Sequence, residues 1–290
     1  MGKKTEIMIG GQAVIEGVMM RTRDDFSVAV RSGSKKIVIK KEKFVSATKK
    51  HRLLALPLVR GMVMLYETMV LGIKALNFSA SVDMTPKERK EELGKGFWIT
   101  MAVSTIFALA IFKFLPLVIA SLAQDYLGGS NLLFNAVDGI SKFLILIGYL
   151  SLISLMPDVR RLFEYHGAEH MAVACYEKGK KLVPANVMKC RKEHSRCGTS
   201  FIMFVLVLSI IFYMFIPFSA SFWQKLGLRL LFLPIIAGVS YELIRLAGKH
   251  DNWLMRAVVS PGILVQKITT RKPDKSQVEV AIKSLEAVLR

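Results

Sequence analysis

Hydrophobic positions fall into two regimes along the chain. Up to about residue 96 the apolar runs are short or interrupted, whereas beyond it four stretches of twenty or more residues are predominantly apolar: 97–123, 132–156, 199–220 and 222–246. Each is long enough to cross a hydrocarbon core of about 30 Å. Short connections at 124–131 and 219–224 pair them into two hairpins, and a long connection, 157–198, separates the hairpins. Residues 53–80 are apolar except for Arg60, Glu67 and Lys74, spaced by seven. On a helix these form one polar stripe, which predicts a helix lying in the interface or packed under the spans rather than crossing lipid.

The ends read differently. Residues 13–20, 26–31 and 36–40 are β-prone runs separated by Asp24-Asp25 and Ser32-Gly33-Ser34, which predicts a small antiparallel sheet. Thr85 before Pro86 reads as a helix start leading through a solvated linker to the first span. Ser260-Pro261-Gly262 is expected to break the chain, and residues 276–290 place Val280, Ile282, Leu285, Val288 and Leu289 on a mostly helical period. The predicted fold is therefore a predominantly α, polytopic membrane protein with about four transmembrane helices in two hairpins. Its parts are a β-rich subdomain (1–50), an interfacial amphipathic helix and linker (51–96), a first hairpin (97–156), a His/Cys-rich segment (157–198), a second hairpin (199–247) and a C-terminal segment with a short helix (248–290).

Charge adds an orientation. The chain has 290 residues, 52% of them hydrophobic, yet carries a formal charge of +19. Of its 41 Lys and Arg, residues 1–96 hold 19, residues 156–198 hold 9 and residues 245–290 hold 9, leaving Lys113, Lys142, Lys225 and Arg229 elsewhere. All the basic excess is on one side of the spans, so both termini and the His/Cys-rich segment are expected in the cytoplasm. Anionic lipid headgroups account for the excess, and no nucleic acid partner is expected. The first ten residues lack the apolar core of a cleavable signal.

Candidate chemistry concentrates in Glu164-Tyr165-His166-Gly167-Ala168-Glu169-His170 and in His194-Ser195-Arg196-Cys197. A helix over 158–178, begun by Pro157 and stopped by Gly179, puts His166 and His170 on one face with Glu169 at its edge. Imidazoles so spaced can hold one divalent cation, zinc first among them, and the pattern His-x-x-Glu-His is the inverted zincin signature. Glu169 is then the candidate general base. The third metal ligand of such a site is normally a carboxylate well downstream, and Glu242 qualifies, although Arg245 offers it a simple salt bridge; Cys197 is the alternative third ligand. Glu164, Glu177, Cys190, His194 and Cys197 are further candidate ligands or supporting groups. Cys190, His194 and Cys197, at spacing Cys-x3-His-x2-Cys, could instead close a structural zinc site with His166 or His170. A cytoplasmic location argues against disulfides among Cys175, Cys190 and Cys197. Two histidines near headgroups can also be ordinary interfacial polar groups. In the spans, Asp138 and Lys142 are expected to pair with each other, with Lys113 and Arg229 making snorkelling or inter-helix contacts.

With residues 10–21, Gly-Gly-Gln-Ala-Val-Ile-Glu-Gly-Val-Met-Met-Arg, the Glu-Tyr-His-Gly-Ala-Glu-His run, residues 194–200, residues 260–262 and Thr269-Thr270-Arg271, the chain resembles the YqhQ-type family of bacterial membrane proteins. The resemblance covers nearly the whole chain. It implies a multi-pass protein of the bacterial cell membrane in a family labelled a domain of unknown function and described at most as a predicted metal-dependent enzyme. It also draws attention to Glu16, flanked by Gly10-Gly11 and Gly17, as a carboxylate that can approach the histidines.

Three functions remain in contention. One is a membrane-bound metal-dependent hydrolase acting at the cytoplasmic face on a membrane lipid or membrane protein. Another is a scaffold or assembly factor with a structural zinc site, and the third is a small transporter built on Asp138, Lys142 and Lys113. No Walker loop, dinucleotide fingerprint or Gly-x-Ser-x-Gly elbow is present.

Overall fold

A computed structural model describes residues 9–22, 24–85, 88, 95–128, 130–194, 197–247 and 252–290. Most of the predicted linker at 84–94 and Ser195-Arg196 lie outside them, although Thr85 donates from its amide (2.8 Å) and hydroxyl (2.7 Å) to Glu88.

Four strands, β1 (Gly10–Val14), β2 (Gly17–Arg21), β3 (Asp25–Arg31) and β4 (Ile37–Lys43), form an antiparallel sheet in sequence order. Residues 13–20, predicted as one strand, are instead a hairpin, with Val14 opposite Gly17 and Glu16 in the left-handed region at φ 51°. Only Gly fits at 17, where a Cβ would press into the carbonyl of Ala29. Successive side chains point to opposite faces of a strand. Val14, Met19, Phe26, Val28 and Val30 accordingly meet Leu71 and Ala75 of helix α1 (Val59–Ala80). Val18, Met20 and Ala29 meet α5 (Pro157–Glu177) and α9 (Lys275–Leu289) on the other face. Covering both faces is why β2 and β3 read as continuous apolar runs. The exposed edge strand β4 carries Lys40, Lys41 and Lys43, which blunt it against pairing.

Helix α1 packs its second face on α7 (Phe222–Ala247), where Gly61 meets Gly238. Its polar stripe is spent on specific partners. Glu67, buried, accepts from the Ala47 amide (2.7 Å) and the Ser46 hydroxyl (2.9 Å), and Arg60 pairs with Glu242.

Three helical stretches among the described residues are long and apolar enough to cross a membrane: Trp98–Leu122, Asn131–Ile153 and Phe222–Ala247. The first comprises α2 (Lys95–Leu109), a π-helical turn at Ala110–Phe114 and α3 (Leu115–Leu122); the second is α4. The stretch predicted as a further span, 199–220, gives the shorter helix α6 (Gly198–Tyr213). At 1.5 Å per residue its 16 residues span about 24 Å. Pro217 disfavours helix before it, and Asn131 donates its amide to the carbonyls of Met214 (2.8 Å) and Ile216 (3.2 Å) just beyond the helix.

Between α4 and α7, the fully buried Asp138 accepts from Lys142 and from Arg229 Nη1 (2.5 Å), and Arg229 Nη2 also reaches Asn135 (3.3 Å). The predicted Asp138–Lys142 pair is present, and Arg229 joins it.

Ser260-Pro261-Gly262 does not break the chain but lies inside α8 (Trp253–Thr269). Proline leaves the carbonyl four residues back without its helical donor. That carbonyl belongs to Ala257, and the Ser260 hydroxyl donates to it at 2.7 Å. Gly262 lets α8 approach Ser200 of α6 more closely than any side chain would allow. Helix α9 begins with a capping box between Asp274 and Gln277, and it buries Val280, Ile282, Leu285 and Val288 against the sheet and α5.

Candidate metal centre

The site is built on α5. Pro157 occupies its first turn and Gly179, at φ 64°, follows its end, so the predicted start and stop signals both operate. His166 and His170 emerge on one face, their ring centroids 4.4 Å apart. The His166 Nδ1 donates to the Thr269 carbonyl at 2.8 Å, and the His170 Nδ1 donates to the Lys192 carbonyl at 2.5 Å. A carbonyl can only accept, so each ring carries its proton on Nδ1 and presents the Nε2 lone pair. Backbone anchoring of this kind is how proteins orient metal-binding imidazoles.

Cys197, which begins α6, completes the set. Its Sγ lies 3.3 Å from His166 Nε2 and accepts from the Thr199 amide at 3.4 Å, so a helix N-terminus faces the sulfur. One donor atom each from His166, His170 and Cys197 lie within 4.8 Å of one another. Two imidazole nitrogens and a sulfur match the ligand chemistry of zinc.

Glu169 stands beside this set, with Oε2 3.6 Å from His170 Nε2 and only 6% of the residue exposed. Burial raises its carboxyl above the ordinary value, against the opposing pull of His166 and His194. Burial likewise holds His170 below the ordinary imidazole value, while its contact with Cys197 acts the other way. The carboxylate fits because residue 11 is glycine; a Cβ there would lie 2.5 Å from Glu169 Oε1.

Gly167, which a helix disfavours by about 1 kcal/mol relative to Ala, has a positive reason to be glycine. The Arg271 carbonyl packs directly on its Cα, and the Arg271 amide donates to the Phe163 carbonyl at 2.9 Å. This close approach carries Thr269 to His166.

The other candidates fall elsewhere. Glu242 is bound by Arg60, with Nε to Oε1 at 2.6 Å, rather than by the histidines or by Arg245. Helix α1, which the sequence alone did not dock on α7, supplies that partner. Glu16 reaches α5 but is held by Arg161 (Nη2 at 2.6 Å) and the Tyr165 hydroxyl (3.2 Å), outside the donor set. Glu164 accepts from Gln277 at 2.9 Å. Cys190 lies in the core beside Cys175, whose thiol is pushed up to about 11 chiefly by burial, so the expected Cys190–His194–Cys197 grouping does not form. His194 is peripheral, with its ring centroid 5.8 Å from that of His170 and its Nε2 3.2 Å from Glu177. Asp138 and Lys142 belong to the helical bundle.

Sequence reasoning missed the buried Gln266, which donates to the His194 carbonyl and accepts from its amide, both at 2.8 Å, and so fixes the approach to Cys197. A glutamine amid the apolar positions of α8 was the available signal. The carbonyls of Thr269 and Lys192 leave no mark on composition.

Fold and site together define a membrane-associated helical protein with a mixed sheet-and-helix module carrying a His-His-Cys cluster. Residues 56–290 match a family model described as "Protein of unknown function (DUF1385)". The chain is 32% identical over 299 residues to "Uncharacterized protein YqhQ" of Bacillus subtilis (strain 168), covering 97% of this chain and 92% of that protein. No solved structure matches. The chain belongs to this YqhQ-type family of unknown function.

Proposed function

We propose that this protein is a membrane-bound, metal-dependent hydrolase whose centre faces the cytoplasm. The observation that carries the reading is the convergence of one donor atom each from His166, His170 and Cys197 within 4.8 Å, with His166 Nε2 3.3 Å from Cys197 Sγ and both Nδ1 atoms tied to backbone carbonyls. Three protein donors leave room for a water, the usual arrangement of a catalytic zinc site, whereas a structural site is closed by four. Of the further donors beside the set, Glu169, with Oε2 3.6 Å from His170 Nε2, is assigned as the base, and His194 Nε2 lies 3.2 Å from Glu177, which favours the open site over the scaffold reading.

When bound, the metal supplies a Lewis acid and lowers the pKa of a coordinated water. Glu169 is the proton acceptor. Its buried carboxylate has a raised proton affinity, which suits a group that takes a proton from the attacking water and returns it to the leaving group near neutral pH. The carbonyls of Thr269 and Lys192 hold the ligand rings, and Gly11 admits the base. In this reading α6 is a fourth, short crossing, and both termini lie in the cytoplasm with the basic residues.

The test uses zinc-loaded protein reconstituted in liposomes of bacterial polar lipids, with released products followed by mass spectrometry. Glu169→Gln is expected to keep its zinc while product release falls at least about 100-fold. Release that is undiminished in the variant contradicts the assignment of Glu169.

A further inference from the structure

Residues 270–272, which follow the Thr269 anchor of His166, line a basin of about 500 Å³. Arg160, Lys192, Lys267, Arg271 and Lys272 line it, against Glu164 alone among carboxylates. That carboxylate is already engaged by Gln277 at 2.9 Å and by Arg160 at 3.7 Å. Among the described residues Lys267 and Lys272 have no ion-pair partner, and both are exposed. Five cations facing one occupied carboxylate make a site for an anion with several oxygens.

Two further observations narrow the ligand. Ser151 and Ser154, from the last turn of the span α4 and its cap, form one wall. Beside them in sequence Leu152 and Leu155 are 67% and 75% exposed, so an uncovered apolar helix end adjoins the basin wall. The basin is also wired to the centre. Lys192 donates its Nζ to the Thr270 carbonyl at 2.6 Å, while its own carbonyl holds His170 and the neighbouring Thr269 carbonyl holds His166. One backbone segment and one lysine therefore form both the basin wall and the ligand anchors.

We propose, building on the hydrolase reading, that this basin binds the phosphate of a membrane lipid headgroup, which makes a phosphorylated lipid the substrate class of the neighbouring centre. Acyl chains would stay along the exposed end of α4 while the phosphate sits among Lys267, Arg271 and Lys272.

Binding is measured by titration calorimetry on metal-free protein in a neutral maltoside detergent, with dioctanoyl phosphatidic acid and inorganic phosphate as probes. Metal-free conditions separate binding from hydrolysis, so a failed turnover assay leaves this result intact. Saturable binding of the lipid is expected, at least about 10-fold tighter than phosphate. It should weaken by about 10-fold or more in Lys267→Gln plus Lys272→Gln. Should the double variant fold poorly, each single variant is expected to show part of the same loss. Equal affinity for the lipid and for phosphate would overturn the lipid assignment in favour of a free phosphate ligand. Absence of saturable lipid binding, or affinity unchanged in the lysine variants, would overturn the site itself.

Discussion

Replacing Asp138 with Asn is expected to destabilise the helical bundle by about 3–5 kcal/mol. Asp138 is fully buried and, among the described residues, is the one carboxylate contacting both Lys142 and Arg229, themselves 6% and 2% exposed. A neutral amide there leaves two cations without a counter-charge in a medium that solvates them poorly, beside Asn135 and the faces of Tyr213 and Phe134. Thermal unfolding in detergent measures the loss. Combining Asp138→Asn with Lys142→Met and Arg229→Gln removes the uncompensated charge as well, and should recover most of the stability. A single variant that melts with the wild type would mean that the charges are neutralised some other way.

Gly167→Ala is expected to destabilise by about 2–3 kcal/mol, opposite in sign to the helix propensity change of about 1 kcal/mol in favour of Ala. The added methyl would overlap the Arg271 carbonyl, which is backbone and cannot swing aside. Residues 269–271 must then withdraw, giving up the Arg271 to Phe163 hydrogen bond and the Thr269 anchor of His166. Loss of such an anchor should also weaken metal binding by roughly 10- to 100-fold. Unfolding and zinc competition titrations on one preparation report both effects. A more stable Gly167→Ala protein would show that the close approach is not required.

The histidine pair was legible because i, i+4 spacing on a capped helix leaves little freedom, and Pro157 and Gly179 mark the ends of that helix. The third donor was less so. A downstream carboxylate was the general expectation, and Glu242 met it by type, but its placement depends on how α1 docks on α7, a tertiary contact with no local signature. Cys197 was legible as the alternative third ligand and as one member of a Cys/His cluster whose other cysteine turned out to fill the core. The need for glycine at 167 has no local signal, because the chain that requires the space arrives from about a hundred residues downstream.

The same contrast holds for the fold. Residues 276–290 followed one period and form the predicted helix. The hairpin within 13–20 hides in a continuous apolar run because both faces of the sheet are covered, and its turn shows only in Glu16 and Gly17. Pro261 reads as a breaker until Ser260 is seen to satisfy the carbonyl that it strands.

The most direct measurement is the metal content of wild-type protein purified in mild detergent without a metal-binding tag, determined by mass spectrometry beside His166→Ala plus His170→Ala and beside Cys197→Ser. About one zinc per chain is expected in the wild type, with little or none in the folded variants. No metal in the wild type after exposure to zinc, manganese and iron, or undiminished metal in the variants, would contradict a His166–His170–Cys197 centre.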